Sequence, residues 1–385
     1  MIVMAVLVVL QKALMEHVGV RFGQEMPDVH RFAARTGCGI TFPDDVPDLH
    51  SSMSGLLASL LFPGQTLRWD QGWPRGYLVA LGAGLNPDPS LTWASLALTH
   101  LQPHRDQLLF VHDPDVSISV RQIEEWVEAL RIPYAELGWR IHGPVGREIV
   151  LSTAMECRVE VAPFASAIHG GSLQKLLPRG AGSGLLLALL TTGQLVLARE
   201  EVNRQRMARG LMSMNSPWIH GVGRGSDFFG HGRSAGDRGR FWSDDPVTAG
   251  LALQAGWTPL EWHATKDNQV MDDREDWLHL TRSVAQAARM GPVLVCCSKD
   301  ATPHPGSCGH VFLDHLVFQL AADGQGLLVL AEEVLEDPGT GGREKIFWGF
   351  SRGRQLVAKQ RFWRRRTWGV GEPVSVETVR GFWLS

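Results

Sequence analysis

DDPVTAGLALQAG (residues 244–256) is followed by LEWHAT (260–265), DREDWLHLTRSVAQAARM (273–290) and PVLVCCS (292–298). The first segment predicts a helix whose acidic start suits the positive end of a helix dipole. LEWHAT predicts a strand, the third segment a long amphipathic helix, and PVLVCCS a strand buried on both faces. Helix and strand alternating over short connections is the rhythm of an α/β layer fold. Upstream, SPWIHGVG (216–223) predicts a strand ending in a glycine turn. At the amino end, MIVMAVLVVL (1–10) predicts a continuous apolar strand of the kind central to a parallel sheet. It lacks a basic leader and a cleavage site, and a bilayer span needs about 20 residues, so the expectation is a cytoplasmic protein.

A different pattern fills the middle of the chain. QLLFVHD (107–113), GREIVLST (146–153) and RVEVAPF (158–164) predict strands, and SVRQIEEWVEALRI (119–132) predicts an amphipathic helix. Residues 27–35 and 56–61 predict short helices, and the Gly- and Pro-rich residues 64–90 predict loop. LLLALLTTGQLVLAREEVNRQRMARG (185–210) predicts a helix that breaks at Thr191–Gly193 and resumes. The whole is expected to be α/β: a three-layer core with an inserted α+β domain and a β-rich tail. Its parts are residues 1–88 (core), 89–185 (insertion), 186–335 (core) and 336–385 (tail).

Composition bounds the function. The 385 residues are 44% hydrophobic and 20% charged, enough for a large core, and the net charge of -3 argues against whole-surface attraction to nucleic acid or anionic membrane. Five cysteines without a CxxC pair argue against a zinc ribbon or a thioredoxin-type site, and the odd count fits a reducing compartment better than a disulfide framework. Cys296-Cys297 reads as a pair of small core residues. His100 and His104 are four apart with Pro103 between them, which argues against a helical metal pair and for exposed loop histidines. Gly221–Gly225 reads as a strand-to-loop turn, with a phosphate cradle as the other reading. Arg233 and Arg238 lie in a polar glycine loop.

Five spaced segments then matter together. PDVHRFAARTGCG (27–39), RGYLVALGAGL (75–85), NRQRMARGLMSMNSPWIHGVGRG (203–225), HATKDNQVMDD (263–273) and CSKDATPH (297–304) occur in that order. They resemble, in order and spacing, segments of the archaeal-type cofactor-independent phosphoglycerate mutases of the alkaline phosphatase superfamily. The resemblance covers residues 1 to about 330 and implies a phosphomutase core around two divalent metals, with a serine nucleophile and an inserted domain that closes over substrate.

The resemblance also assigns positions, and several carry the wrong chemistry. Gln11 stands where the family has a metal-binding aspartate after its first strand. Ser52 falls on the nucleophile, with Ser51 one register away and Met53 in place of an aspartate. Asp267 keeps an acid, while Met271 replaces a histidine. Lys299 replaces an aspartate and Asp300 a histidine, and His304 or His310 matches the last histidine. Lys299 would either oppose a bound dication or supply the missing positive charge by pairing with Asp267.

The implied reading is a divergent protein that has lost its metals and serves as a binding or assembly subunit, with no cofactor. The alternative is an active phosphomutase or phosphatase with a reduced site of manganese, zinc or magnesium, acting through Ser52. The tail holds six aromatics and six arginines between residues 347 and 368, and predicts hairpins that engage a protein partner or a second copy. No membrane contact is expected, and the net charge argues against a nucleic-acid platform.

Overall fold

The computed structural model describes residues 4–10, 38–41, 57–58, 61–62, 74–105, 107–111, 118–159, 173–229, 238–260, 274–297, 326–336, 343–352 and 374–375. In chain order the strands are β1 (Met4–Leu10), β2 (Cys38–Thr41), β3 (Thr92–His104), β4 (Gln107–Val111), β5 (Arg140–Val145), β6 (Glu148–Thr153), β7 (Ser216–Arg224), β8 (Arg240–Ser243), β9 (Thr258–Pro259), β10 (Val293–Cys297), β11 (Gly326–Glu336), β12 (Arg343–Arg352) and β13 (Val374–Ser375). The helices are α1 (Arg75–Gly82), α2 (Val120–Glu136), α3 (Leu173–Leu176), α4 (Ser183–Leu197), α5 (Glu201–Ala208), α6 (Gly225–Phe229), α7 (Pro246–Gln254) and α8 (Arg274–Ala288). Among the described residues, no helix is long and apolar enough to cross a membrane.

The chain forms two compact units, Met1–Gln65 with Ser234–Ser385, and Thr66–Arg233. The first holds an eight-stranded sheet in the order β13-β2-β12-β11-β1-β10-β8-β9. As its apolar run predicts, β1 is central, pairing in parallel with β10 on one edge and β11 on the other. β8 and β9 extend the parallel block. α7 packs on β8 and β9, and α8 on β1 and β10. Asp245 caps α7, its Oδ2 accepting from the Thr248 amide at 2.9 Å and hydroxyl at 2.7 Å. α8 buries Leu280, Val284, Ala287 and Ala288 at helical spacing.

The expected separate tail is not separate where it is described. β12 lies between β11 and β2, antiparallel to both, with Glu336 paired to Arg343 and Phe347 to Ile40. A hairpin return beside a parallel block satisfies ladder bonds that a sheet edge would leave open.

The second unit is an antiparallel sheet, β4-β3-β6-β5 with β7 also on β3. Ala94, Leu96, Ile149, Leu151 and Ile219 meet Ile123, Trp126, Val127, Leu130 and Tyr134 of α2 in one core, together with Leu186, Leu189 and Leu197 of α4. A capping box starts α2: Ser119 Oγ accepts from the Gln122 amide and Gln122 Oε1 from the Ser119 amide. The helix runs past Pro133 to Glu136, and Tyr134, just beyond the proline, is buried.

Three sequence expectations change here. The loop expected at 64–90 contains α1, whose residues Gly76–Leu81 are all buried. α4 does not break at Thr191–Gly193. It runs through to Leu197, and the interruption falls at residues 198–200. The unit also extends beyond 89–185. α1 packs on β3 and β7, α4 packs on β7 and α2, and β7 pairs with β3 from Thr92 to Thr99.

Candidate functional site

The carboxyl ends of three parallel strands lie side by side in the larger sheet. Leu10 is the register partner of Cys297, and Cys296 that of Ser243. In α/β sheets this edge is where ligands bind. At β8 the described polar groups are committed locally: Asp245 caps α7, and Ser243 Oγ bonds the Asp245 amide and carbonyl, each at 3.1 Å. In the sequence, Gln11 follows Leu10 directly, and Ser298 and Lys299 follow Cys297. Gln11, Ser52, Asp267, Met271, Lys299, Asp300, His304 and His310 themselves lie outside the described residues. Among the described residues, no group of three or more His, Cys, Asp or Glu side chains is placed to hold a metal ion.

Two of the five family-like segments are described, and they pack on each other. Asn203 is buried, its Nδ2 donating to the carbonyls of Leu197 and Met214 and its Oδ1 accepting from the Met214 amide, all at 2.8 Å. Asn215 clamps β3 by accepting from the Leu101 amide at 2.7 Å and donating to its carbonyl at 3.0 Å. Buried Arg206 donates from Nε to the Met212 carbonyl at 2.9 Å and lies over the Trp126 ring.

The glycines serve close approach. A side chain at Gly76 would meet the Ala94 backbone at 2.4 Å, and one at Gly221, where φ is +58°, would meet Arg75 Cβ at 2.4 Å. Gly221–Arg224 belong to β7 and Gly225 opens α6, so this run is accounted for by the seating of α1. It leaves the phosphate-cradle reading without a separate observation.

At this contact stands a feature that sequence reasoning missed. Arg75, the first residue of α1, bonds the Glu148 carboxylate of β6 from Nε at 3.1 and 3.2 Å and also from Nη2. Both side chains are mostly buried, and His220 of β7 adds its influence. Burial alone would raise the Glu148 carboxyl, but the Arg75 guanidinium, with a smaller contribution from His220, outweighs it and holds the carboxyl at about 2. Glu148 is therefore ionised and paired at neutral pH. It tethers helix to sheet and is not a proton donor. Nothing local marks the pair, since its partners are 73 residues apart.

Other candidates resolve as structural groups. His100 and His104 lie in β3 rather than in a loop, and His100 Nδ1 is 2.8 Å from the Ser213 carbonyl oxygen. Arg238 donates to the Leu61 carbonyl at 3.3 Å, and Arg233 lies outside the described residues. Cys296 is buried, as a core residue should be.

The larger unit is a mixed α/β fold built on a sheet with a parallel central block. The PH0037 protein of Pyrococcus horikoshii shares the fold, with a TM-score of 0.51, 11% identity and coverage of 92% of this chain and 88% of that one. A cofactor-independent phosphoglycerate mutase from Thermoplasma acidophilum superposes with a TM-score of 0.46 at 11% identity, over 98% of both chains.

By sequence part of the chain is similar to 2,3-bisphosphoglycerate-independent phosphoglycerate mutases, at low identity. It is 27% identical over 160 residues to a probable enzyme of that name from Geobacter sulfurreducens, and 29% identical over 96 residues to one from Methanosarcina mazei. Those stretches span 41% and 25% of this chain, and only 40% and 24% of the two relatives. The chain matches no protein-family model.

Proposed function

We propose that this chain keeps a phosphoglycerate mutase-like scaffold without its two-metal chemistry, and serves as a non-catalytic binding or assembly subunit. One contrast carries the reading. The family-like residues Asn203, Arg206, Asn215 and Gly221 all have structural tasks in the fold. The positions that would carry chemistry have changed instead. Gln11 and Lys299 follow the paired ends of β1 and β10, and Met271 stands in the other late motif.

The donor set does not fit two divalent cations. Such ions take carboxylate oxygens and imidazoles, whereas a carboxamide is a weak ligand, a thioether a soft one and an ammonium none at all. No catalytic step is therefore assigned to a metal. Lys299, pairing with Asp267, would balance inside the protein the charge that metals balance in an active site. A protein partner or a second copy, bound through the aromatic-arginine segment 347–368, belongs to the same proposal.

The test is metal analysis of the purified full-length protein, with an assay for interconversion of 2- and 3-phosphoglycerate. We expect no stoichiometric manganese, zinc or magnesium and no turnover. Turnover that rises with added manganese and vanishes in Ser52→Ala would establish the active alternative.

A further inference from the structure

We draw no further inference here: the strongest candidate, the cluster of Arg140, His142 and Ser152 beside Trp93 on the face of the smaller sheet opposite α2, carries nothing, because His142 is already held by Ser152 and Trp93 and nothing among the described residues shows what would meet the exposed Arg140.

Discussion

Arg75 and Glu148 are 73 residues apart in the chain and meet across the contact of α1 with β6, through two Nε bonds at 3.1 and 3.2 Å and a third from Nη2. The pair makes the smaller unit acid-sensitive in a defined window. The Glu148 carboxyl falls from an ordinary 4.5 to about 2 on folding, so the unfolded chain takes up a proton first as pH drops. The stabilisation is complete above about pH 4.5 and is lost as pH falls toward 2. Its size is about 3 kcal/mol.

Glu148→Gln should cost about 3 kcal/mol at pH 7, because it removes the negative charge that faces a mostly buried guanidinium. The variant should also lose less stability than the parent between pH 4.5 and 2. Urea denaturation at several pH values reads both effects, and parallel pH profiles for parent and variant would remove the pair from the explanation.

Gly193 and Gly184 lie in the same helix, α4, and should respond oppositely to alanine. A Cβ at Gly193 would stand 2.5 Å from Pro217 Cγ and 2.7 Å from the Tyr134 hydroxyl, which itself donates to the Leu189 carbonyl at 3.1 Å. Gly193→Ala should therefore destabilise by about 1–3 kcal/mol, despite a gain of about 1 kcal/mol in helix propensity. Nothing lies within 4 Å of a Cβ at Gly184, so Gly184→Ala should be neutral or stabilising by up to about 1 kcal/mol. Thermal melts of the two variants decide it. Similar shifts would mean that the α4–β7 approach is looser than this packing.

Removing the tail should unfold the larger unit rather than simply detach a binding surface. β12 pairs along its length with β11 and also with Cys38–Ile40 of β2. A chain ending at Pro338 leaves both of those strands with open edges, a state prone to aggregation. We expect such a truncation to be insoluble or to lack a cooperative melt. A soluble truncation that melts cooperatively would show that β12 is dispensable to the sheet.

Much of the secondary structure was legible because burial on one face leaves a period in the sequence. The spacing of Ile123, Trp126, Val127, Leu130 and Tyr134 marked α2, and the unbroken apolar run at 4–10 marked a doubly covered strand. α1 escaped for the converse reason. Gly76 to Leu81 are buried on every side, so no face is polar and no period appears, while the flanking glycines and prolines suggested loop. Thr191–Gly193 looked like a helix break because glycine usually is one. Here the missing side chain lets Pro217 and Tyr134 approach α4.

The candidate metal positions were legible only as a resemblance. The described geometry adds that the strands preceding Gln11 and Lys299 are direct neighbours, with Leu10 opposite Cys297. The Arg75–Glu148 pair had no signal in the sequence. It joins residues that are ordinary where they stand and acquire meaning only from what the fold sets beside them.

The sequence by itself determined several of the local elements, such as β1, α2 and α7, and the residue chemistry, in which Gln11, Met271 and Lys299 stand where the resemblance expects metal ligands. Tertiary structure alone decided that β12 enters the main sheet between β11 and β2, that β7 and α4 belong with the smaller unit, and that Glu148 is held ionised by Arg75. The physical reason is that helix periodicity and capping act over a few residues, whereas strand pairing uses backbone groups that every residue carries.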